Sequence, residues 1–452
     1  MIEVELAIVG SGSGNAIVGA EWAGRAVAIV DEAPAFGGTC LNRGCIPTKM
    51  LIHPADVVEA VRHGARIGVS GTAHADWHAV QERVFGRIDG NAAASERWRL
   101  GQESVHVVRE HVHLEDARTL VTASGERIRA ERLVIAAGSR PRDIPGVDPA
   151  LVHTSDTIMR VPELPSSLVV VGGGAIAVEL AHVLSAFGVE ITLVLRGDRV
   201  LSAEDEAVSD LATAAAADRW TVLRGRTVVG VEATSGGRRV TLDDGSTLDA
   251  GLVLNATGRV PNADALGAAA LFDTHDDGRL VTDAQMRVLA GGEVVEGVYA
   301  LGDVTSAHQL KHVANHQARV VRDNLRGRAT EDVLAPIPQA IFGHPEVASF
   351  GVRGQDAPSD AIVVDRAFGT TAYGWAMEDE SSFARLVVAR DGTILGAHVA
   401  GPSAAILIQP LVLAASEGRT VHGLARSLYW PHPALTEVIE NALLDAEKEL
   451  SR

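Results

Sequence analysis

The chain has 452 residues, and a length above about 250–300 residues favours two or more domains over a single hydrophobic core. A formal net charge of -18 without any run of Lys or Arg excludes a nucleic-acid surface, because acidic proteins repel phosphate backbones. No apolar stretch approaches the roughly 20 residues that span a bilayer, and the N-terminus has acidic residues where a signal peptide has basic ones. We therefore expect a globular cytoplasmic protein with no nucleic-acid or membrane partner.

The first predicted elements form a βαβ unit at the N-terminus. A strand, VELAIVG, leads into a glycine loop, a helical stretch is expected next, and a second strand, RAVAIV, ends at Asp31-Glu32. Such glycines permit a tight turn, and the helix N-terminus would face a pyrophosphate. Glu32, about 20 residues after the glycines, suits an unphosphorylated ribose. The pattern predicts a dinucleotide site at Gly10, Gly12, Gly14, Asn15 and Glu32, with Asn15 where a third glycine is usual.

The only two cysteines, Cys40 and Cys45, follow in the segment GGTCLNRGCIPTKM. Pro47 is well placed to begin a helix, and a thiolate at a helix N-terminus has a lowered pKa and is a competent nucleophile. A structural bridge across so short a loop would restrain little of the unfolded chain. Two thiols without histidine partners also make a poor zinc site, so we expect no metal. A redox pair is favoured over two inert thiols.

A second βαβ unit begins about 160 residues after the first, in LVVVGGGAIAVELA. Its loop reads Gly172-x-Gly174-x-x-Ala177, and its second strand, VEITLVL, ends at Arg196 instead of an acid. An arginine there suits a 2′-phosphate, so NADPH is favoured over NADH. Arg199 either assists or is a solvated loop arginine. Two complete units are much stronger evidence for dinucleotide binding than one.

After Ala335 the pattern changes to alternating strands (AIVVDRAF, FARLVVA, ILGAHVAG) followed by helices. This order of predicted strands and helices indicates a separate α+β domain. The expected fold class is therefore α/β, with two Rossmann-like dinucleotide-binding domains and a C-terminal α+β domain.

The segment Gly37–Lys49 resembles the redox-active signature of the class I pyridine nucleotide–disulfide oxidoreductases, which include glutathione reductase, lipoamide dehydrogenase and mercuric reductase. The resemblance extends to the Ala137-Gly138-Ser139 and Ala256-Thr257-Gly258 loops, to Gly302-Asp303 and to HPALTE at His432–Glu437. Within the family, HTSDTIMR, AYGWAMED and YWPHPALTEVIENALL resemble the mycothione reductases, which reduce mycothiol disulfide.

The resemblance implies four segments and an obligate homodimer. These are a FAD-binding domain with the redox dithiol (1–145), an NADPH-binding domain (146–261), a central segment that completes the FAD site (262–335) and an interface domain (336–452). The implied reaction carries electrons from NADPH through FAD to the dithiol and then to a low-molecular-weight disulfide, with mycothione as the expected substrate.

By the same resemblance, Cys45 would lie against the flavin and form the charge-transfer contact, and Cys40 would attack the substrate disulfide. Lys49, one helical turn beyond Cys45, would approach flavin N5. Glu179 would pair with Lys49 and meet the nicotinamide, and Asp303 would bind the ribityl chain. Amides after Leu310, including those of Lys311 and His312, would face the flavin N1–C2 carbonyl. Further cofactor contacts are expected at Gly38, Thr39, Val112, Ala137, Gly138, Ser139, Gly258 and Arg259.

His432 and Glu437 are expected to supply acid–base chemistry. Thiol–disulfide exchange moves protons between thiols, and histidine titrates near the working pH. Glu437 would hold the imidazole in one tautomer. In the family this histidine serves the partner subunit's cysteines, so the site would be shared across the dimer. His344-Pro345-Glu346 is interpreted as structural.

Two positions depart from the family pattern. Ala175 stands where an aromatic gate over the flavin is usual, and Ser202 stands where NADPH-dependent relatives often have a second arginine.

Three alternative functions remain. Lipoamide dehydrogenase chemistry with NAD is the first, and it would require an acidic residue at the position of Arg196. Reduction of quinones or metal ions at the flavin is the second, although mercuric reductase needs an extra C-terminal cysteine pair. A non-enzymatic redox-sensing or assembly protein is the third, and it would not need the Cys/Cys/His/Glu set.

Overall fold

The N-terminal part of the chain builds a parallel sheet in the computed structural model, which describes residues 1–333 and 335–452. Its elements are β1 (Ile2–Val9), β2 (Val27–Val30), α1 (Gly38–Arg43), α2 (Cys45–Arg62), α3 (Trp77–Leu100), β3 (Val105–Val108), β4 (Val112–Asp116), β5 (Thr119–Thr122), β6 (Arg127–Ile135) and β7 (Ser139–Pro141). β1 pairs in parallel with both β2 and β6, and β2 pairs in parallel with β3. All four residues of β2 are buried, as expected for a parallel strand covered on both faces.

The next part of the chain builds a second, smaller parallel sheet. Its elements are β8 (Ser167–Val171), α4 (Ala175–Ala186), β9 (Glu190–Val194), α5 (Glu206–Arg219), β10 (Thr221–Leu223), β11 (Val228–Thr234), β12 (Gly237–Leu242), β13 (Thr247–Ala250), β14 (Leu252–Asn255) and β15 (Arg259–Pro261). The parallel strand order is β10-β9-β8-β14, and β11-β12-β13 form a separate antiparallel sheet. β15 pairs with β7, which joins this part of the chain to the first.

The following segment returns to the first sheet. It contributes β16 (Arg287–Ala290), β17 (Glu293–Ala300) and α6 (Lys311–Leu325). β17 pairs in parallel with β6, so the main strand order of the first sheet is β16-β17-β6-β1-β2-β3.

The C-terminal part is an antiparallel sheet with helices packed against it. Its elements are β18 (Gln339–Phe342), β19 (Glu346–Gly351), β20 (Ile362–Ala367), α7 (Ala372–Ala376), β21 (Phe383–Val388), β22 (Ile394–Ala400), α8 (Ala404–Leu407), α9 (Gln409–Ser416) and α10 (Glu437–Leu450). The strand order is β18-β19-β22-β21-β20. α10 buries one apolar face, which includes Val438, Ala442 and Ala446. The α/β class with a C-terminal α+β part is confirmed, and no helix among the described residues is long and apolar enough to cross a bilayer.

The prediction of a helix after the first glycine loop is wrong. Two short 3-10 turns, Gly14–Ile17 and Ala20–Trp22, occupy that stretch. The Arg99 guanidinium donates to the carbonyl oxygens of Asn15 (2.8 Å) and Val18 (3.0 Å), which an α-helix would use for its own amides. The first unit therefore has no long helix whose N-terminus faces a pyrophosphate.

Candidate active site

Cys40 and Cys45 lie on two consecutive helices that meet at Gly44. Cys40 is in α1 and half-buried, whereas Cys45 is the first residue of α2 and exposed. The amide of buried Asn42 donates to the carbonyl oxygens of Phe36 (3.0 Å) and Gly38 (3.1 Å), which ties α1 to the loop before it. The two thiols are thus presented from a braced turn.

The two sulfurs differ in ionisation. The pKa of Cys45 is lowered to about 6 because Cys40 donates a hydrogen bond to its sulfur, and the positive charge of Lys49 adds to this effect against the opposing effect of burial. The same hydrogen bond, together with burial, raises the pKa of Cys40. At neutral pH Cys45 is therefore the thiolate and Cys40 the thiol, as a stabilised thiolate at a helix start would require.

Lys49 pairs with Glu179, which lies on α4. Lys49 Nζ donates to both carboxylate oxygens of Glu179 at 2.7 Å, and Glu179 is almost fully buried. The backbone amide of Phe342 donates to Glu179 Oε1 at 2.9 Å, and its ring lies 4.9 Å from Lys49 Nζ. The helices α2 and α4 and the strand β18 therefore meet at this pair, one turn beyond Cys45 on α2.

A cavity of about 280 Å³ opens at the carboxyl ends of β1 and β2. Gly10, Glu32, Val112 and Ala137 line it, and all four are expected cofactor contacts. Gly10 has φ +105°, and a Cβ there would lie 2.2 Å from the Ala136 carbonyl oxygen, so only glycine fits. The Glu32 carboxylate is exposed, with His111 Nδ1 at 3.1 Å.

Gly38 brings the dithiol segment against the first glycine loop. It has φ +76°, and a Cβ there would lie 2.6 Å from Gly12 Cα. Thr39 is the next residue of α1, and Gly14 packs against the Ala136 side chain. The absence of a side chain at Gly38 and at Gly12 therefore lets the dithiol segment lie directly against the glycine loop.

Ser139, Asp303 and Arg259 form one hydrogen-bonded group beside this cavity. Ser139 Oγ donates to Asp303 Oδ2 at 2.7 Å, and Arg259 Nε donates to Ser139 Oγ at 2.9 Å. Burial lowers the pKa of the Arg259 guanidinium, against the raising effect of Asp156 and Asp303. Gly138 and Gly258 flank the group, both with positive φ. These loops belong to β7 and β15, which pair with each other.

α6 begins at Lys311, after Leu310, and no side chain caps its first amides. Lys311 Nζ donates to Ser13 Oγ at 2.7 Å, and His312 Nε2 lies 2.8 Å from the Pro338 carbonyl oxygen. Uncapped amides at the start of a 15-residue helix suit a carbonyl that accumulates negative charge. Together with the glycine cradle and Asp303, the residues present fit FAD.

The second glycine loop lies at the carboxyl end of β8. Gly172 has φ +122°, and a Cβ there would lie 2.4 Å from the Ala256 carbonyl oxygen. Gly174 is exposed at the start of α4, and Ala177 is buried within it. Ala175, the first residue of α4, is exposed and has no aromatic ring of its own. This loop leads into a regular helix, unlike the first, and fits a dinucleotide.

The two arginines expected near a 2′-phosphate have different surroundings. Arg196 is exposed, and within residues 1–333 and 335–452 it forms no ion pair. Arg199 already binds Glu206 and Asp210, each at 2.7 Å. Ser202 is exposed and adds no charge. Arg196 is therefore the cation that remains available to a phosphate.

The exposed His432 pairs with the largely covered Glu437 at the start of α10. His432 Nδ1 lies 2.7 Å from Glu437 Oε1, and the Ala434 amide donates to Glu437 Oε2 at 3.1 Å. The hydrogen bond with His432 lowers the pKa of Glu437. The His432 side chain is 71% exposed, and in the part of the chain that the structure describes Glu437 is its only recorded polar partner. The pair and the dithiol are not in contact within one chain.

Several residues of the site were not identified from the sequence. The Asp31 carboxylate accepts from the Ser11 amide at 2.8 Å and from its hydroxyl, and so holds the first glycine loop. Phe342 was missed because its role depends on a backbone amide, and Arg99 because it lies far along the chain. Of these residues, only Asp31 could have been identified from the sequence, because it stands beside Glu32 at the end of the predicted strand.

Among the described residues, no group of three or more potential ligands is arranged to hold a metal ion.

The chain is similar to known proteins over nearly its whole length. Residues 4–318 match the profile of the pyridine nucleotide-disulphide oxidoreductases, and residues 337–443 match the dimerisation domain of these proteins. Mycothione reductase of Mycobacterium tuberculosis is 44% identical over 97% of this chain and 98% of the relative. Dihydrolipoyl dehydrogenase of Bacillus subtilis is 30% identical over 98% of this chain and 96% of the relative.

Two solved structures share the fold. The crystal structure of LpdA from Mycobacterium tuberculosis has a TM-score of 0.83 at 24% identity, covering 98% of this chain and 99% of that one. The HOCl-induced flavoprotein disulfide reductase RclA from Escherichia coli has a TM-score of 0.82 at 21% identity, covering 97% and 99%. At these identities the likeness concerns the fold alone.

Proposed function

The chain belongs to the pyridine nucleotide-disulphide oxidoreductase family and is an oxidoreductase, and from that premise we propose that it reduces a low-molecular-weight disulfide through Cys40 and Cys45. NADPH is the proposed electron donor, and mycothione is the proposed substrate. FAD, when bound, would supply the transfer of two electrons between the nicotinamide and the dithiol.

The observation that carries this proposal is the position of the dithiol: Cys45 is the first residue of α2, one helical turn before Lys49, which binds the buried Glu179 carboxylate. The Cys40 hydrogen bond and the charge of Lys49 lower the pKa of Cys45, while the pKa of Cys40 is raised. A thiolate held beside the Lys49–Glu179 pair suits electron exchange with a cofactor, and a reserved thiol suits the later attack on a substrate.

In the proposed thiol chemistry, His432 takes the proton of Cys40, and the Cys40 sulfur attacks one sulfur of the disulfide and breaks its S–S bond. The leaving thiolate takes that proton back from His432. The Cys45 thiolate then attacks the Cys40 sulfur, which forms the Cys40–Cys45 disulfide and releases the second product as a thiolate that takes a proton from water. Two electrons pass from the dithiol to the substrate in this sequence. Glu437 orients His432.

We propose that His432 serves the dithiol of a second subunit. Its exposure and its lack of contact with the cysteines of the same chain support this arrangement. Residues 337–443 match a dimerisation domain, which supports a homodimer. We also infer a cytoplasmic location, where a dithiol of this kind stays in its reduced form.

The choice of substrate and donor rests on two observations. The 44% identical relative is a mycothione reductase, whereas the dihydrolipoyl dehydrogenases are about 30% identical. The exposed Arg196 supports NADPH, because a guanidinium binds a 2′-phosphate in a charge-assisted contact. Dihydrolipoamide oxidation with NAD is the competing function.

NADPH oxidation by the purified FAD-loaded protein tests the proposal directly. The assay compares mycothione, glutathione disulfide and lipoamide, each with NADPH and with NADH. We expect turnover with mycothione and NADPH and loss of that turnover in Cys40→Ser, since serine cannot form the mixed disulfide. Reduction of lipoamide with NADH at a higher kcat/KM would contradict the proposal in favour of its competitor.

A further inference from the structure

The helices α2 and α4 contact each other at more than one level. Lys49 of α2 binds Glu179 of α4. Two turns further along α2, Asp56 Oδ1 accepts a hydrogen bond from His182 Nε2 at 2.8 Å, and His182 lies one turn after Glu179 on α4. The two contacts therefore connect the same pair of helices, one at the site and one behind it.

His182 is held from both ends of its ring. Its side chain is only 1% exposed, whereas that of Asp56 is 55% exposed. Arg219 Nη1 lies 3.1 Å from His182 Nδ1, and because arginine can only donate, Nδ1 accepts and Nε2 carries the proton. A buried imidazole whose two nitrogens both form hydrogen bonds is held in one orientation. Such a side chain can fix the position of α4 against α2.

Arg219 extends this contact to a second residue of α2. Its guanidinium lies 3.2 Å from Glu59 Oε2, and both side chains are nearly buried. Burial would raise the pKa of Glu59, but Arg219 and Arg62 lower it on balance, so the carboxylate stays charged. We call Asp56, Glu59, His182 and Arg219 the junction network.

The C-terminal part of the chain meets the junction network at the turn between β18 and β19. The His344 ring stacks on His63, the residue that follows α2, at a centroid distance of 6.3 Å and an interplanar angle of 4°, and His63 Nε2 lies 3.3 Å from Glu59 Oε2. Burial, with Arg219 nearby, lowers the pKa of His344 to about 4, so this turn brings no positive charge. The same β18 supplies the Phe342 amide to Glu179. Three parts of the chain therefore come together behind the Lys49–Glu179 pair.

We propose that the junction network positions Glu179 against Lys49, and thereby sets the geometry in which the nicotinamide and the flavin exchange a hydride. This inference rests on the proposed function. The network residues contact neither thiol, so they act through Glu179 as positioning residues. Glu179 and His182 lie on one 12-residue helix, so a shift of α4 along α2 moves both. A misplacement of about 1 Å can slow a reaction about 100-fold.

Substitution of His182 separates positioning from general stability. His182→Leu removes both hydrogen bonds of the ring, while His182→Gln keeps one donor and one acceptor. Glu163→Ala is the matched control, because it breaks another histidine–carboxylate contact, with His78 at 3.1 Å, in which both side chains are exposed. If His182→Leu does not fold, Asp56→Ala is compared with Glu163→Ala instead, because it removes the exposed carboxylate that accepts the hydrogen bond of His182.

The rate of flavin reduction by NADPH is measured in the FAD-loaded protein without a disulfide, followed by the rate of reoxidation by the disulfide. We expect His182→Leu to slow flavin reduction about tenfold to 100-fold, to leave reoxidation unchanged and to raise amide hydrogen exchange in residues 175–186. His182→Gln should recover most of the rate, and Glu163→Ala should match the unmodified protein.

Unchanged flavin reduction in His182→Leu would overturn the proposal, whatever the amide exchange shows. An equal slowing of both half-reactions, with faster exchange throughout the chain, would also overturn it, because that is the result of lost stability. The measurements of flavin reduction and of amide exchange do not depend on the disulfide. If the unmodified protein accepts electrons from NADPH but reduces no disulfide, the proposed function fails while this test still decides the role of the network.

Discussion

The charge on Cys45 depends on its immediate neighbours. Its pKa is lowered from 9.0 to about 6 by the Cys40 hydrogen bond and by Lys49, so in the reduced protein Cys45 is a thiolate above about pH 6. Removal of the cation in Lys49→Met should raise the midpoint for alkylation of Cys45 by about one pH unit. Mass spectrometry of iodoacetamide-labelled protein across a pH series measures this midpoint. Lys448→Met, on α10, is the control, and an unchanged midpoint in Lys49→Met would contradict the assignment.

Arg196 and Arg199 offer a matched pair for testing cofactor choice. Arg196 is unpaired among the described residues, whereas Arg199 is held by Glu206 and Asp210. One charge-assisted contact to a phosphate contributes about 1.5–3 kcal/mol, or roughly tenfold or more in specificity. We expect Arg196→Ala to raise the KM for NADPH at least about tenfold and to spare the KM for NADH. Arg199→Ala should change both little. Equal kcat/KM for the two cofactors in the unmodified protein would refute a role for Arg196.

At the scale of elements, the start of α1 sets how closely the dithiol approaches the first glycine loop. Gly38→Ala places a Cβ about 2.6 Å from Gly12 Cα at a φ of +76°, so the loop must move. We expect the protein to lose FAD affinity, measured by flavin fluorescence during titration. Gly86→Ala on the open face of α3 is the control, since nothing lies within 4 Å of its Cβ. It should retain FAD and gain about 0.5–1 kcal/mol in free energy of unfolding. Full FAD affinity in Gly38→Ala would rule out this cradle.

The start of α10 carries the proposed acid–base pair. The hydrogen bond with His432 lowers the pKa of Glu437, and the charged carboxylate holds the imidazole in one orientation. Glu437→Gln removes that charge, so kcat/KM for disulfide reduction should fall about tenfold or more across the pH profile. Flavin reduction by NADPH should not change. Glu440→Gln, one turn further along α10, is the control. A profile in Glu437→Gln that coincides with that of the unmodified protein would exclude the pairing.

Much of the architecture followed from short-range patterns. The two glycine loops and the change of texture after Ala335 are local signals, and the structure contains both parallel sheets and the antiparallel C-terminal sheet. The helix after the first loop was wrong because Arg99, more than 80 residues away, takes two of its carbonyl oxygens. The Phe342 amide and the ion pairs of Arg199 likewise depend on tertiary contacts, which no spacing of residue types reveals.

The proposed mechanism requires a second subunit, because His432 would serve the dithiol of the partner chain. Cys40→Ser and His432→Ala chains should each be nearly inactive alone. Co-expressed, they form mixed dimers in which one of the two sites combines intact cysteines with an intact histidine, so disulfide reduction should partly return. If His432 acts within its own chain, no site in a mixed dimer is complete, and activity after co-expression would remain as low as in either variant.

Cys40 and Cys45 are proposed to form a redox pair in which Cys45 faces the flavin. The absorption spectrum of the FAD-loaded protein during anaerobic titration with NADPH tests this pairing. A long-wavelength thiolate-to-flavin band should appear after two electrons, persist in Cys40→Ser and be absent in Cys45→Ser. A flavin that passes directly to its reduced form, with no such band in the unmodified protein, would contradict the claim.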